Sequence, residues 1–445
     1  MEDLLKSYVL SQETYYQIRD TISQELSLGL SKSCERSSIK MLISYVQNLP
    51  TGREIGEFLA LDLGGSNFRV LLIHLNGSPS AFRMESKIYP LTDSIKASVA
   101  VELFDYIVDC VDDFLKTVKI SHYPVPLGFT FSFPVIQSGL ASGRLVQWTK
   151  EITCDGVVGE DVVRLLHEAI QRKKTLQVEC VALVNDTVGC LMSCAYEDIQ
   201  TYMAVIIGTG SNASYVEKVR NIEKWQPDAD ETSDEMIINT EWGGLGDNGC
   251  IDFARGPADY IIDDRSLDKR RQIFEKMISG RYLGEVARLV LLEAVKANLL
   301  FHQPGRLVEA FTKEYGFLTK YLSEIESDTG KTHSKTRRIL TELGVKDLTY
   351  DECSLVYKIC RVISKRSAYL CAAGIAAVLN NMNRPEVTIG VDGSLVRCHP
   401  TFLDHMLQFT KKLINPGINI KMRLSEDGSG KGAALIAAVS IRKMH

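Results

Sequence analysis

Between Phe58 and Ile73 the chain runs apolar, breaks at Gly64-Gly65 and turns apolar again. That pattern reads as strand, tight turn, strand. The turn gathers two glycine amides, the Ser66 hydroxyl and the Asn67 side chain around one concavity. Glycine lets backbone come close to a ligand, and converging N–H groups suit a phosphate. Asp62, at the end of the first strand, repels a phosphate directly. It can instead hold a hydrated Mg²⁺ that the phosphates also touch. Taken alone, the segment is equally an ordinary hairpin with a Gly-Gly turn.

The device recurs. Tyr202 to Val216 is apolar, then Gly208-Thr-Gly-Ser-Asn212, then apolar again. Val387 to Val396 has the same look around Asp392-Gly393-Ser394. A fourth Gly/Ser cluster, Glu426 to Gly432, opens an Ala-rich helix expected over 431–443. Similar hairpins far apart in one chain point to an α/β protein with an internal duplication facing a shared nucleotide cleft.

At 445 residues the chain has room for two domains or more. A net charge of −5 without a long basic run argues against nucleic acid or an anionic membrane as the main partner. Eleven cysteines without framework spacing suit a reduced, cytosolic chain. No Cys/His cluster has zinc spacing. The N-terminus lacks a signal pattern and an apolar leader, and the longest near-apolar run, Ala368 to Leu379, is too short to span a bilayer.

Taken in order, Ile18, Ile22 and Leu26 mark a docking helix over 12–30. Ser98 is expected to cap a helix with Val101, Phe104, Val108, Val111, Leu115 and Val118 on one face. A strand from Leu127 ends at Ser132, and Gln147 to Glu151 lies in a loop. The β-branched run Val178 to Val184 is a buried strand ending at Asn185-Asp186, with a helix from Thr187. Open α/β sheets place chemistry at the carboxyl ends of strands, so Asp186 is a candidate. Asn185-Asp186-Thr187 also reads as an ordinary helix cap. Ile237 to Gly244 delivers Glu241 into a Gly-rich turn, and helices dominate 268–383. Gly208 to Ala213 matches the dinucleotide fingerprint, but that motif must open a helix, and Tyr215 and Val216 continue as a strand.

These words, in this order, resemble hexokinases of the animal type across nearly the whole chain. The matching segments are Leu61 to Arg69, Gly128 to Pro134, Val184 to Gly189, Gly208 to Asn212, Ile238 to Gly243, Phe274 to Gly280, Gly390 to Ser394 and Ser425 to Gly432. The resemblance implies the fold shared with actin: two ribonuclease-H-like domains around a central cleft. It implies an N-terminal unit over 1–195, with its small-domain core at about 55–185. A C-terminal unit over 196–445 follows, its final helix returning to the small domain. The implied activity is Mg-ATP-dependent phosphorylation of a hexose such as glucose at the 6-hydroxyl, feeding glycolysis, by a cytosolic monomer.

Carried over by position, Asp186 resembles the general base on the sugar 6-hydroxyl, assisted by Lys150. Ser132, Thr149, Lys150, Asn185, Asn212, Glu241 and Glu275 resemble the sugar contacts. Asp62, Gly64, Gly65, Ser66, Asn67, Arg69, Gly208, Thr209, Gly210, Asp392, Gly393, Ser394 and Ser429 resemble contacts to ATP and Mg²⁺, with Asp62 reaching the metal through water. Thr319 and Ser323 match nucleotide-side positions. The chain departs from the family where Glu151-Ile152 follow Lys150 in place of Gly-Phe, at Gly244-Leu245, at Asp268 to Arg271 and at Arg281. A sugar sensor that keeps the cleft and has lost turnover is the competing reading.

Overall fold

The structure is a computed structural model that describes residues 2–64, 67–80, 82–120, 124–148, 152–226, 233–301, 308–328, 330, 332–425 and 427–442. Its strands, in chain order, are β1 (Leu42–Ile43), β2 (Ile55–Leu63), β3 (Asn67–Asn76), β4 (Arg83–Pro90), β5 (Val125–Phe131), β6 (Val135–Gly139), β7 (Ser142–Leu145), β8 (Val178–Val184), β9 (Thr201–Ile207), β10 (Ser211–Lys218), β11 (Glu235–Asn239), β12 (Glu386–Asp392) and β13 (Asn419–Leu424). Among the described residues the two larger sheets are ordered β4-β3-β2-β5-β8 and β1-β11-β10-β9-β12-β13, and β6 and β7 form a separate two-stranded sheet. Each larger sheet begins with an antiparallel hairpin, β2/β3 or β9/β10, and extends through a parallel neighbour, β5 or β12.

The continuous apolar runs of β2 and β3 follow from burial on both faces. Leu59, Leu61 and Leu63, with Phe68, Val70 and Leu72, face a core closed by the helices Ala100–Leu115 and Val162–Lys173. Phe58 and Ala60, with Leu71, Ile73 and Leu75, face a second core between the two sheets. That core is filled by the helix Asp186–Glu197 and the returning helix Gly428–Arg442, and Ala204, Val216 and Ile237 of the other sheet close it. A third core packs the helices of 257–382 and the N-terminal helix Gln12–Leu30 on the six-stranded sheet.

The two helices between the sheets meet through missing side chains. A Cβ at Gly432 would lie 1.9 Å from the Gly189 carbonyl oxygen, and one at Gly128 would lie 2.1 Å from that of Ala433. Small residues there bring the helices and β5 into backbone contact.

The elements around the third Gly/Ser turn differ from expectation. After Gly393 the chain enters a short helix, Ser394–Cys398, rather than a strand. Leu395 and Val396 bury as readily from one helical turn as from a strand, and the sequence pair fits both. Ser98 does not cap its helix. Val99 holds the cap position, the Ser98 hydroxyl donates to the Ile95 carbonyl at 2.7 Å, and Val101 is exposed. Ala368 to Leu379 lies inside a 33-residue helix, Tyr350–Met382. That helix is long and apolar enough to cross a membrane by composition, but its most apolar window is 83% buried in the protein.

Candidate active site

Strand ends from both sheets deliver the polar side chains. Asn185 follows β8 and caps the Asp186–Glu197 helix, its Oδ1 accepting from Thr187 N at 2.9 Å. The cap reading and the site reading of these residues hold together: capping fixes Asn185, and Asp186 stands at the helix start. Ser214 of β10 donates to the Thr187 carbonyl at 2.8 Å, which stitches the six-stranded sheet to this helix.

A polar network lies opposite. Asn212 Nδ2 donates to Asn239 Oδ1 at 2.7 Å and to Glu241 Oε1 at 3.1 Å, and reaches Asn185 Oδ1 at 3.4 Å. Asn239 Nδ2 donates to Glu241 Oε1 at 3.0 Å, and Glu241 N donates to Asn212 Oδ1 at 3.0 Å. Glu241 itself sits at φ +54, a left-handed conformation that aims its carboxylate back at the network. Glu275 arrives from the helix Ile273–Ile278, and its Oε2 accepts from Ser211 N at 2.9 Å. Asp247 fixes that helix by accepting from Ile273 N at 3.1 Å, and burial pushes the Asp247 carboxyl up to about 6. Amides and carboxylates in this arrangement suit vicinal hydroxyls, which donate and accept together.

The Gly/Ser turns converge beside the network. Ser429, at the start of the returning helix, donates to Asp62 Oδ2 at 2.9 Å. A Cβ at neighbouring Gly428 would lie 3.3 Å from the Asp392 carboxylate. Gly393, at φ +113, lies so close to β9 that a Cβ would meet the Ile207 carbonyl oxygen at 2.3 Å, and Ser394 faces Gly208. The turn 208–210 is braced in turn by Gly280 N and Arg281 N, which donate to the carbonyls of Gly208 and Thr209. Thr319 is occupied with the same region: its hydroxyl donates to the Gly280 carbonyl at 2.5 Å and accepts from Gly284 N at 2.9 Å. Ser323 is buried one turn on and donates to the Thr319 carbonyl.

Asp62 is the most constrained ionisable group here. Burial pushes its carboxyl above the ordinary range, Arg69 and the Ser429 hydroxyl pull it back, and the charges of Asp186 and Asp427 push it up again. Arg69 thus pairs with two carboxylates, Asp62 and Asp427, and the charge of Asp186 also reaches Asp62, an anionic excess that a divalent cation balances. Among the described residues no three acidic, His or Cys side chains group closely enough to hold a metal by themselves. That donor set fits Mg²⁺, which keeps several waters and takes one or two carboxylates together with phosphate oxygens.

The structure therefore brings together Asp62, Arg69, Asn185, Asp186, Asn212, Glu241, Glu275, Ser429 and the turns at 208–210 and 392–394. Ser132 stands half-buried just past β5, Gly64 closes the first turn by donating to the Asn67 carbonyl, and Asn67 opens β3. Gly65, Ser66, Thr149, Lys150 and Glu151 lie outside the described residues. Sequence reasoning missed Asn239, Thr187 and Asp427. Asn239 carried the available signal, a polar residue ending an apolar strand, as at Asp186.

Family models described as Hexokinase match residues 1–196 and 202–439. The chain is 44% identical over 450 residues to hexokinase-1 of Mus musculus, covering 99% of this chain and 45% of that protein. It thus spans about half the length of the curated relatives it matches. A solved hexokinase from Schistosoma mansoni in complex with glucose is 42% identical, with a TM-score of 0.89 and 98% of each chain covered. A second solved hexokinase is 31% identical, with a TM-score of 0.82 and the same coverage. The chain belongs to the hexokinase family, and its fold is the two-domain, actin/hexokinase type expected from the sequence.

Proposed function

We propose that this protein transfers the γ-phosphoryl group of Mg-ATP to the 6-hydroxyl of a hexose, with glucose as the first candidate. The observation that carries the reading is the place of Asp186. It stands between a network suited to a polyol (Asn185, Asn212, Asn239, Glu241, Glu275) and the converging turns around Asp62 and Ser429. In this reading the network, with Ser132, Thr149 and Lys150, grips the sugar hydroxyls. A wrong epimer leaves a buried polar group unpaired, which is how such sites discriminate.

Asp186 orients the 6-hydroxyl and accepts its proton late, because the phosphoryl transition state is loose and little deprotonation precedes transfer. A carboxylate of ordinary basicity suffices for that. Backbone amides of the turns at 64–67, 208–210 and 393–394, with the Thr209, Ser394 and Ser429 hydroxyls, hold the phosphates. Mg²⁺, when bound with the nucleotide, neutralises charge on the phosphate oxygens, and Asp62 would hold it through water.

We read 1–195 and 196–445 as the two units flanking the cleft, with the returning helix belonging to the first. Two sheets with separate outer cores support this. A cytosolic monomer, with neither nucleic acid nor membrane as partner, agrees with the net charge of −5 and the scattered cysteines. A coupled assay with purified protein, Mg-ATP and a panel of hexoses tests the activity. Turnover with at least one hexose is expected. Tight sugar binding with no turnover would instead favour a sensor.

A further inference from the structure

We propose that Asp427 is a positioning residue: it holds the Arg69 guanidinium off Asp62 and so keeps that carboxylate open to a divalent cation. The inference rests on the phosphoryl-transfer reading above and adds a residue that the sequence comparison did not single out.

Asp62 and Arg69 face each other directly across the β2/β3 hairpin. An arginine opposite a carboxylate ordinarily closes on it in a short, two-pronged pair. Here it does not. Arg69 Nη2 stays 3.4 Å from Asp62 Oδ2, a loose contact, and makes its closer ion pair with Asp427 Oδ1. The nearer partner of Asp62 is the Ser429 hydroxyl at 2.9 Å, a neutral donor that leaves the carboxylate its charge.

Asp427 is well fixed for this task. It sits at φ +56 immediately before the returning helix, and its carbonyl accepts from Lys431 N at 3.4 Å. Lys431 is itself buried, donates to Glu197 Oε1 at 2.5 Å and lies 4.0 Å from the Phe82 ring centroid. The carboxylate that draws Arg69 aside is therefore tied to the helix that also presents Ser429. Without it, the guanidinium is free to swing onto Asp62, fill its acceptor positions and cancel the charge a cation needs.

Manganese binding reads this without relying on turnover. Free Mn²⁺ is followed by electron paramagnetic resonance with AMP-PNP and glucose present. Asp427→Asn is expected to weaken Mn²⁺ at least about fivefold, roughly 1 kcal/mol or more. In an Arg69→Gln background the same change is expected to matter less than about twofold, since the competing cation is gone; coupling of that kind marks interacting neighbours. Arg69 is also a proposed nucleotide contact, so Arg69→Gln is compared with the native chain with the nucleotide site of each saturated by AMP-PNP. There it is expected to bind Mn²⁺ as well as the native chain or better. A merely structural clamp predicts that Arg69→Gln weakens Mn²⁺ as much as Asp427→Asn does, and that result would overturn the proposal. So would native affinity in Asp427→Asn. If that variant does not fold, Arg69→Gln is compared with the native chain instead, and Mn²⁺ binding weakened about fivefold or more in it would overturn the proposal. Failure of the native chain to bind Mn²⁺ with AMP-PNP and glucose would count against the phosphoryl-transfer reading instead.

Discussion

Asp186 belongs to two arrangements at once, next to a capped helix start and within the electrostatic reach of Asp62. Its action in the proposed reaction is confined to the transition state, so its loss should spare sugar binding. For Asp186→Ala we expect kcat to fall roughly 10²–10⁴-fold, the usual worth of a general base, while calorimetry still reports glucose binding. Retention of more than a tenth of native kcat would assign the base elsewhere. Asp62 makes the opposite kind of prediction. Its carboxyl is held above the ordinary range, chiefly by burial, so ionising it costs the fold. That cost is absent below the unfolded-chain value and complete above the raised one. Asp62→Asn should therefore melt higher than the native chain at pH 7 without divalent cations, and the gain should shrink toward pH 4. A lower Tm at pH 7 would contradict this. Residues such as Asp186 and Glu241 were legible because a polar group at the end of an apolar strand stands out. Asp427 was not, because its meaning lies in Arg69, 358 positions away.

Among the elements, the Gly/Ser turns were legible as breaks between apolar runs, and the first two fold as the expected hairpins. The third does not, since two apolar residues after a glycine specify burial rather than a strand. The displaced cap at Ser98 has a similar origin: the cap position is set by where the helix docks, one residue on. The returning helix was visible as an Ala-rich stretch, but its backbone contact with the Asp186–Glu197 helix was not. That contact supplies a test. A Cβ at Gly432 would meet Gly189 backbone at 1.9–2.3 Å, and backbone cannot step aside as a side chain can. Gly432→Ala should lower stability by about 1–3 kcal/mol or more, the cost of overpacking a dense interior. Urea unfolding measures it, and a midpoint unchanged from the native chain would refute the packing argument.

At the scale of the molecule, two sheets share a central core built on two helices, and the candidate site lies where their strand ends face each other. The proposed sugar contacts come from both sides: Ser132, Asn185 and Asp186 from the five-stranded sheet, Asn212, Glu241 and Glu275 from the other. A ligand that bridges them should draw the halves together and exclude water that would otherwise accept the phosphoryl group. Small-angle scattering is expected to show a smaller radius of gyration with saturating glucose, and superimposable curves would argue against closure. The central claim is that this cleft moves phosphate from ATP to sugar, and ³¹P NMR watches that transfer itself. With the native protein, Mg-ATP and glucose, one glucose 6-phosphate is expected to form for each ADP. ATP left intact beside bound glucose, or ADP accumulating with inorganic phosphate alone, would contradict it.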